Sequence, residues 1–206
     1  MAIKTGIWIY WLFCAIATAL VIARRDRANG LLSPRSASGQ EKKGYHLTLL
    51  LGWIVTLLAS GTYVLFTVKR DTGHYHFVDL AVFSVLNGIL EQFMFIFWFL
   101  VGCYIGRQKF QNAPICIFMC GYASNVLYSG LIHSLFWIQV LPKHDLFIAP
   151  VFISALMSAI WVWLLWRYRA VISIIAMHIV VDFLSIGHLH FSWFESFQLL
   201  KSGLIQ

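Results

Sequence analysis

Charged residues are scarce in this chain of 206 residues. Asp, Glu, Lys and Arg together make up 11% of the sequence, whereas they make up about 25% of a soluble globular domain. Hydrophobic residues make up 60%, and the mean hydropathy is +0.78. This composition excludes an ordinary soluble domain and predicts one integral-membrane domain, residues 1–206, with a small solvated fraction.

The chain also lacks a basic patch interleaved with exposed aromatic residues. Fifteen Lys and Arg residues against eight Asp and Glu residues give a formal net charge of +7. Most of these basic residues fall in short segments between apolar runs, where they set membrane topology and do not bind phosphates. We therefore expect the bilayer to be a partner of this chain, and we expect no nucleic-acid partner.

Cysteine is rare, and compact metal-binding motifs are missing. The four cysteines all lie within apolar runs, at Cys14, Cys103, Cys116 and Cys120. In such runs a cysteine is usually a small packing residue. The sequence contains no H-E-x-x-H motif and no internal repeat. A metal site predicted here therefore depends on residues from different helices.

Six apolar segments approach the length of about 20 residues that a membrane-spanning helix needs. They cover residues 6–23, 47–68, 78–105, 115–141, 147–166 and 170–187. The predicted fold class is all-α, a polytopic membrane helix bundle of about six transmembrane helices. Residues 24–46 are predicted to form a solvated loop, and residues 187–206 an interfacial C-terminal tail.

The distribution of Lys and Arg predicts the orientation of the chain. Ten of these residues lie in segments 24–46, 106–114 and 167–169, and five lie on the opposite side. Segments rich in Lys and Arg face the cytoplasm. Segment 24–46 is therefore predicted to be cytoplasmic, with both termini on the non-cytoplasmic side.

Polar side chains form three stripes inside the predicted spans. Their members lie four residues apart: Asn87 with Glu91, Ser129 with His133, and His178 with Asp182. Residues with this spacing share one face of a helix. Ionisable groups are costly in a membrane and usually face a cavity or the interior of the bundle. We therefore expect the three stripes to converge.

Two histidines with carboxylates are a suitable donor set for a metal. Zn²⁺ prefers tetrahedral N and O ligands and keeps a water position open in catalytic sites. A further carboxylate near that water can act as its general base. The set therefore favours metal-assisted hydrolysis, although each residue can equally serve as an interhelical hydrogen-bonding group.

Three short segments carry these residues in order. They are "LEQFMF" around Glu91, "SGLIH" ending at His133, and "HIVVD" from His178 to Asp182. The series resembles the motifs E-E-x-x-x-R, F-x-x-x-H and H-x-x-x-N or H-x-x-x-D of the CAAX-protease and bacteriocin-processing (CPBP, or Abi) family of intramembrane metalloproteases. The resemblance covers about residues 80–186.

The resemblance implies a metal-dependent endopeptidase that cleaves a membrane-associated polypeptide. Its catalytic residues would be Glu91, His133, His178 and Asp182, and Glu91 would activate the water. The residues His133, His178 and Asp182 would hold a divalent metal, with zinc as the expected cofactor.

The chain departs from the family pattern in its first two motifs. Gln92 takes the place of the second glutamate, Phe95 or Ile96 stands where an arginine is expected, and Ser129 replaces a phenylalanine. One alternative is therefore a catalytically impaired relative that serves as a membrane scaffold or assembly partner of another complex. Another is a haem or quinone protein with His133 and His178 as axial ligands.

Overall fold

The computed structural model describes residues 2–23, 39–67, 77–137 and 148–187, which form six helices and no strand. The helices are α1 (Ala2–Ala23), α2 (Gly39–Thr67), α3 (Phe77–Lys109), α4 (Pro114–Ile132), α5 (Ile148–Trp163) and α6 (Val171–Gly187). One π-helical turn follows α4 at His133–Trp137, and another follows α5 at Leu164–Tyr168. The all-α prediction is confirmed for the described residues.

Four of the helices are long and apolar enough to cross a membrane. Their apolar spans are Gly6–Ala23, Gly44–Tyr63, Phe77–Lys109 and Pro114–Trp137. Two shorter apolar helices cover Phe152–Tyr168 and Val171–Ser185. Large apolar side chains such as Leu12, Phe152 and Ile172 are exposed on the outside of the bundle, as expected for surfaces that meet lipid. These features fit an integral membrane protein.

Helix α2 begins at Gly39, within the segment predicted to be a loop. The residues after Gly39 are Gln40, Glu41, Lys42 and Lys43, and these residue types favour helix despite their polarity. They extend α2 beyond the apolar span that starts at Gly44. Residues 24–38 of the predicted loop and residues 188–206 of the predicted tail lie outside the described residues.

Helix α3 is the central element, because it packs against α1, α4 and α6. Large apolar residues on several of its faces are almost fully buried, among them Leu80, Phe83, Ile96 and Phe99. Its polar residues therefore lie inside the bundle as well. Glu91 is the fifteenth of the 33 residues of α3, so it lies close to the middle of the helix.

A glycine allows α6 to approach α3 closely beside this polar segment. A Cβ atom at Gly88 would lie 2.9 Å from the backbone nitrogen of Ile179, which is closer than such atoms can approach. Without that side chain, the backbones of α3 and α6 pack against each other. This contact places His178, the neighbour of Ile179, next to the polar residues of α3.

Candidate functional site

A cavity of about 360 Å³ lies between α2, α3, α4, α5 and α6. Its lining includes all members of the three polar stripes: Asn87, Glu91, Ser129, His133, His178 and Asp182. The structure thus brings the four predicted site residues to the wall of one cavity. Their predicted catalytic and metal-binding roles stay predictions.

Three of the predicted residues form a tighter group, called the Glu–His–Asp cluster below. The Nε2 atom of His178 lies 3.5 Å from Glu91 Oε2 and 3.7 Å from Asp182 Oδ1. One ligand atom from each residue lies within 4.8 Å of the other two, and all three residues are buried. The cluster therefore presents two carboxylate oxygens and one imidazole nitrogen to a common point.

Asn87 holds the two carboxylates of the cluster in place. Its Nδ2 group donates one hydrogen bond to Glu91 Oε2 at 2.8 Å and one to Asp182 Oδ2 at 2.9 Å. Its Oδ1 atom accepts a hydrogen bond from the indole of Trp11 at 2.9 Å. Because the indole can only donate, it fixes which end of the Asn87 amide faces the carboxylates.

The second carboxylate oxygen of Glu91, Oε1, is fixed by two hydrogen-bond donors. The Oε1 atom accepts hydrogen bonds from the Tyr10 hydroxyl at 2.5 Å and from the Trp137 indole at 2.9 Å. The Tyr10 hydroxyl also lies 2.9 Å from the hydroxyl of Tyr128. Donors of this kind stabilise the ionised carboxylate. They leave Oε2 as the oxygen of Glu91 that faces His178.

Gln92 orients the imidazole of His178. The Nδ1 atom of His178 lies 3.0 Å from Gln92 Oε1, and an amide oxygen can only accept, so Nδ1 is the donor. In a neutral imidazole the lone pair is then on Nε2, the nitrogen that faces Glu91 and Asp182. Metal-binding histidines are commonly held by such a hydrogen bond from the other ring nitrogen.

His133 shares the cavity with the Glu–His–Asp cluster but is not part of it. It begins the π-helical turn after α4, and its Nδ1 atom lies 2.8 Å from the carbonyl oxygen of Ser129. π-helical turns occur frequently at functional sites. In the present arrangement His133 faces the same space without joining the group of potential ligands.

The cluster fits a divalent cation in its charge and its spacing. The described lining of the cavity contains no Lys or Arg, so the positive partner of the buried carboxylates is either a protonated His178 or a bound cation. Tetrahedral ligands of Zn²⁺ at about 2.0–2.1 Å are separated by about 3.3–3.4 Å. The separations of 3.5 and 3.7 Å from His178 Nε2 are close to that value, and all three ligand atoms lie within 4.8 Å of one another.

The same arrangement gives no support to a haem bound between two histidines. The Nε2 atom of His178 faces Glu91 and Asp182, and carboxylates at that position would surround the iron with negative charge. The geometry therefore favours a small cation over a haem.

Tyr10, Trp11 and Trp137 are the site residues that sequence reasoning missed. Tyr10 and Trp11 belong to α1, which lies outside the segment that resembles the family, and Trp137 lies beyond the last motif residue of α4. Tyr10 could have been suspected from the sequence, because it lies in the middle of an apolar helix and buried Tyr hydroxyls usually find a hydrogen-bond partner.

Comparisons with known proteins give no relatives for this arrangement. No family model, no curated protein and no solved structure matches the chain.

Proposed function

We propose that this protein is an intramembrane metal-dependent endopeptidase of the kind that the CPBP resemblance implies. The observation that carries the proposal is the buried Glu–His–Asp cluster on the wall of a cavity inside a bundle of apolar helices. Ionisable residues within membrane helices are expensive and usually serve a function. The substrate of such an enzyme would be a membrane-associated polypeptide.

In such a site, the residues of the cluster and the residues that hydrogen-bond to them would have different roles. Glu91, His178 and Asp182 would hold the divalent metal, and His133, which lines the same cavity, would be available to contact a substrate. The metal, when bound, would supply Lewis acidity toward a water or a peptide carbonyl. Tyr10, Asn87 and Gln92 keep the side chains of the cluster oriented before any substrate arrives.

This ligand set differs in one residue from the set that the sequence predicts. Sequence reasoning assigns the metal to His133, His178 and Asp182 and the role of general base to Glu91. The proximity of Glu91 Oε2 to His178 Nε2, at 3.5 Å, supports Glu91 as a ligand. In that arrangement the half-buried His133 is the available base, because it lines the cavity outside the cluster.

The proposal includes the membrane arrangement of the whole chain. All six helices would cross the bilayer, with segment 24–46 in the cytoplasm and both termini on the other side. The distribution of Lys and Arg supports this orientation. Glu91 near the middle of α3 would then lie close to the centre of the membrane.

The two histidines of the cavity provide the matched pair of variants that tests the metal site. Zinc content is measured by elemental analysis after purification and zinc loading. We expect His178→Asn to lose bound zinc, and His133→Asn to retain it, since only His178 belongs to the cluster. Equal loss of zinc in both variants would instead support the ligand set predicted from the sequence, which is His133, His178 and Asp182. Retention of zinc in His178→Asn would contradict a metal site at the cluster.

Proteolysis is tested by comparing new protein N-termini in membranes that contain the wild-type chain or Glu91→Gln. We expect cleavage products of membrane proteins that disappear in Glu91→Gln and in His178→Asn. A zinc-free wild-type protein that yields no such products and purifies with a stable partner would instead support the scaffold alternative.

A further inference from the structure

The turn between α5 and α6 lies at the same end of the bundle as the end of α3 and the starts of α2 and α4. Trp166, just before this turn, contacts Phe99 of α3 and Phe118 of α4, with ring centroids 6.1 Å apart in both pairs. The ring of Tyr168 lies 5.4 Å from the ring of Tyr45, near the start of α2. These contacts fix the level of the turn relative to the three neighbouring helices.

Helices α2 and α3 extend beyond this turn. From Phe99, α3 continues for ten residues to Lys109, which is about 15 Å. Only three residues separate Trp166 from Arg169, which follows the π-helical turn. Helix α2 begins six residues before Tyr45, which is about 9 Å. The α5–α6 turn therefore lies in a recess, about 10 Å below the end of α3.

This end of the bundle is positively charged. The described segments 44–47, 104–118 and 163–173 contain four Lys and Arg residues and no Asp or Glu. The four are Arg107 and Lys109 at the end of α3, which are exposed, and Arg167 (exposed) and Arg169 (half-buried) at the turn. The first residues of α2 add two lysines and one glutamate. A molecule that approaches the recess therefore meets a positive field.

Apolar side chains lie next to the arginines of the turn. Trp163, four residues before Arg167, is 42% exposed, and Ile172, three residues after Arg169, is 82% exposed. Trp and Tyr are enriched where a membrane protein crosses the headgroup layer, so Trp163 and Tyr168 fit a turn at headgroup depth. The recess thus combines cations with a surface that suits acyl chains.

This combination matches the chemistry of an anionic phospholipid. An arginine can bind a phosphate group through two parallel N–H donors. Arg167 and Arg169 also interact with other groups of the chain, but each guanidinium has five N–H donors and can bind a phosphate as well. A soluble phosphate would use the arginines alone, whereas a phospholipid would also cover Trp163 and Ile172.

We propose that the α5–α6 turn binds the phosphate headgroup of an anionic phospholipid through Arg167 and Arg169, with the acyl chains along Trp163 and Ile172. Under the proposed orientation this turn faces the cytoplasmic leaflet, which carries anionic lipids. The sequence assigns these arginines to membrane topology, and lipid binding gives them a second role. The proposal depends neither on the metal site nor on proteolysis.

The test measures lipid binding to the purified full-length protein by native mass spectrometry. Dioleoyl phosphatidylglycerol is the anionic probe, and dioleoyl phosphatidylcholine, which has the same acyl chains and no net charge, is the neutral probe. Each arginine near an anionic lipid strengthens binding about fivefold. We therefore expect the wild-type protein to bind the anionic lipid about 25-fold more tightly than the neutral one.

Arg167→Gln and Arg169→Gly each remove one charge from the turn. Arg169 has a φ of 55°, a left-handed conformation that glycine adopts readily, so Arg169→Gly preserves the turn. We expect each variant to lower the affinity for phosphatidylglycerol about fivefold, and the double variant about 25-fold. Lys4→Gln is the matched control, because it removes one charge near Gly6, which faces Phe136 beyond the other end of α4. It should leave both affinities unchanged.

Three results would overturn the proposal: equal affinity of the wild-type protein for both lipids, an unchanged affinity for phosphatidylglycerol in the double variant, or an equal loss in Lys4→Gln. A competition with glycerophosphoglycerol, the soluble headgroup, distinguishes the two sources of phosphate. We expect the bound lipid to be retained at an equal concentration of the headgroup. Displacement would assign the arginines to a soluble phosphate and contradict a lipid site.

Discussion

Gln92 occupies the position where the resembled family has a second glutamate, and its contacts show what an amide achieves there. Its Oε1 atom accepts from His178 at 3.0 Å, as a carboxylate would. The amide does so without adding a third negative charge beside Glu91 and Asp182. The departure from the family motif is therefore compatible with an oriented imidazole at the cluster.

Two substitutions of Gln92 distinguish its role in orienting the His178 imidazole from its role in packing. Gln92→Leu removes the acceptor, so we expect zinc affinity to fall by about 10- to 100-fold, the usual effect of losing a hydrogen bond to a metal-binding histidine. Gln92→Glu keeps an acceptor and should stay within a few fold of wild type. Titration of zinc against a competing chelator measures both. Equal affinities for Gln92→Leu and wild type would show that Gln92 does not position His178.

At the scale of single residues, the sequence predicts which residues form the site better than it predicts which atoms those residues contact. The spacing of four residues in "HIVVD" places His178 and Asp182 on one helix face, and the structure places Glu91 beside them. The contribution of Tyr10 was not predictable, because its hydrogen bond to Glu91 joins residues 81 positions apart. Only the packing of α1 against α3 creates that contact.

At the scale of elements, the α3–α4 pair depends on glycines at its interface. A Cβ atom at Gly102 would collide with the backbone of Cys120 and Gly121, so the two helices are in backbone contact there. The π-helical turn that follows α4 carries Trp137, which donates a hydrogen bond to Glu91 on α3. Separation of α4 from α3 would therefore affect the site as well as the core.

We expect Gly102→Leu to destabilise the protein by about 1–3 kcal/mol or more, the range for side chains forced into a packed interior. Gly61→Leu is the control, because a Cβ atom at Gly61 meets nothing within 4 Å. Thermal unfolding in detergent, followed by tryptophan fluorescence, measures both variants. A Gly102→Leu protein as stable as Gly61→Leu would contradict close packing of α3 on α4.

The apolar runs predict the helices themselves, but not all of their ends. Helix α2 starts in a polar segment because Gln, Glu and Lys favour helix beyond the apolar core of a span. The π-helical turn from His133 to Trp137 was also not predictable, since its residues would suit an ordinary α-helical turn equally well. Both differences arise where hydropathy no longer determines local structure.

At the scale of the whole molecule, the proposed orientation is testable without any knowledge of activity. Single cysteines are introduced by Ser36→Cys and Ser202→Cys in a chain whose four native cysteines are replaced. We expect a membrane-impermeant maleimide added to intact cells to label position 202 and to label position 36 only after permeabilisation. The reverse pattern would invert the orientation, and labelling of both positions in intact cells would place them on the same side and exclude an odd number of spans between positions 36 and 202.

Helix α6, which carries His178 and Asp182, contains 17 residues and is therefore about 25 Å long. A typical hydrocarbon layer is about 30 Å thick. If α6 spans the bilayer as proposed, the resulting hydrophobic mismatch would thin the bilayer around it, at a cost of a fraction of a kcal/mol per ångström. The protein should consequently prefer membranes with short acyl chains, and α6 would bring thinned lipid to the side of the molecule that holds His178 and Asp182.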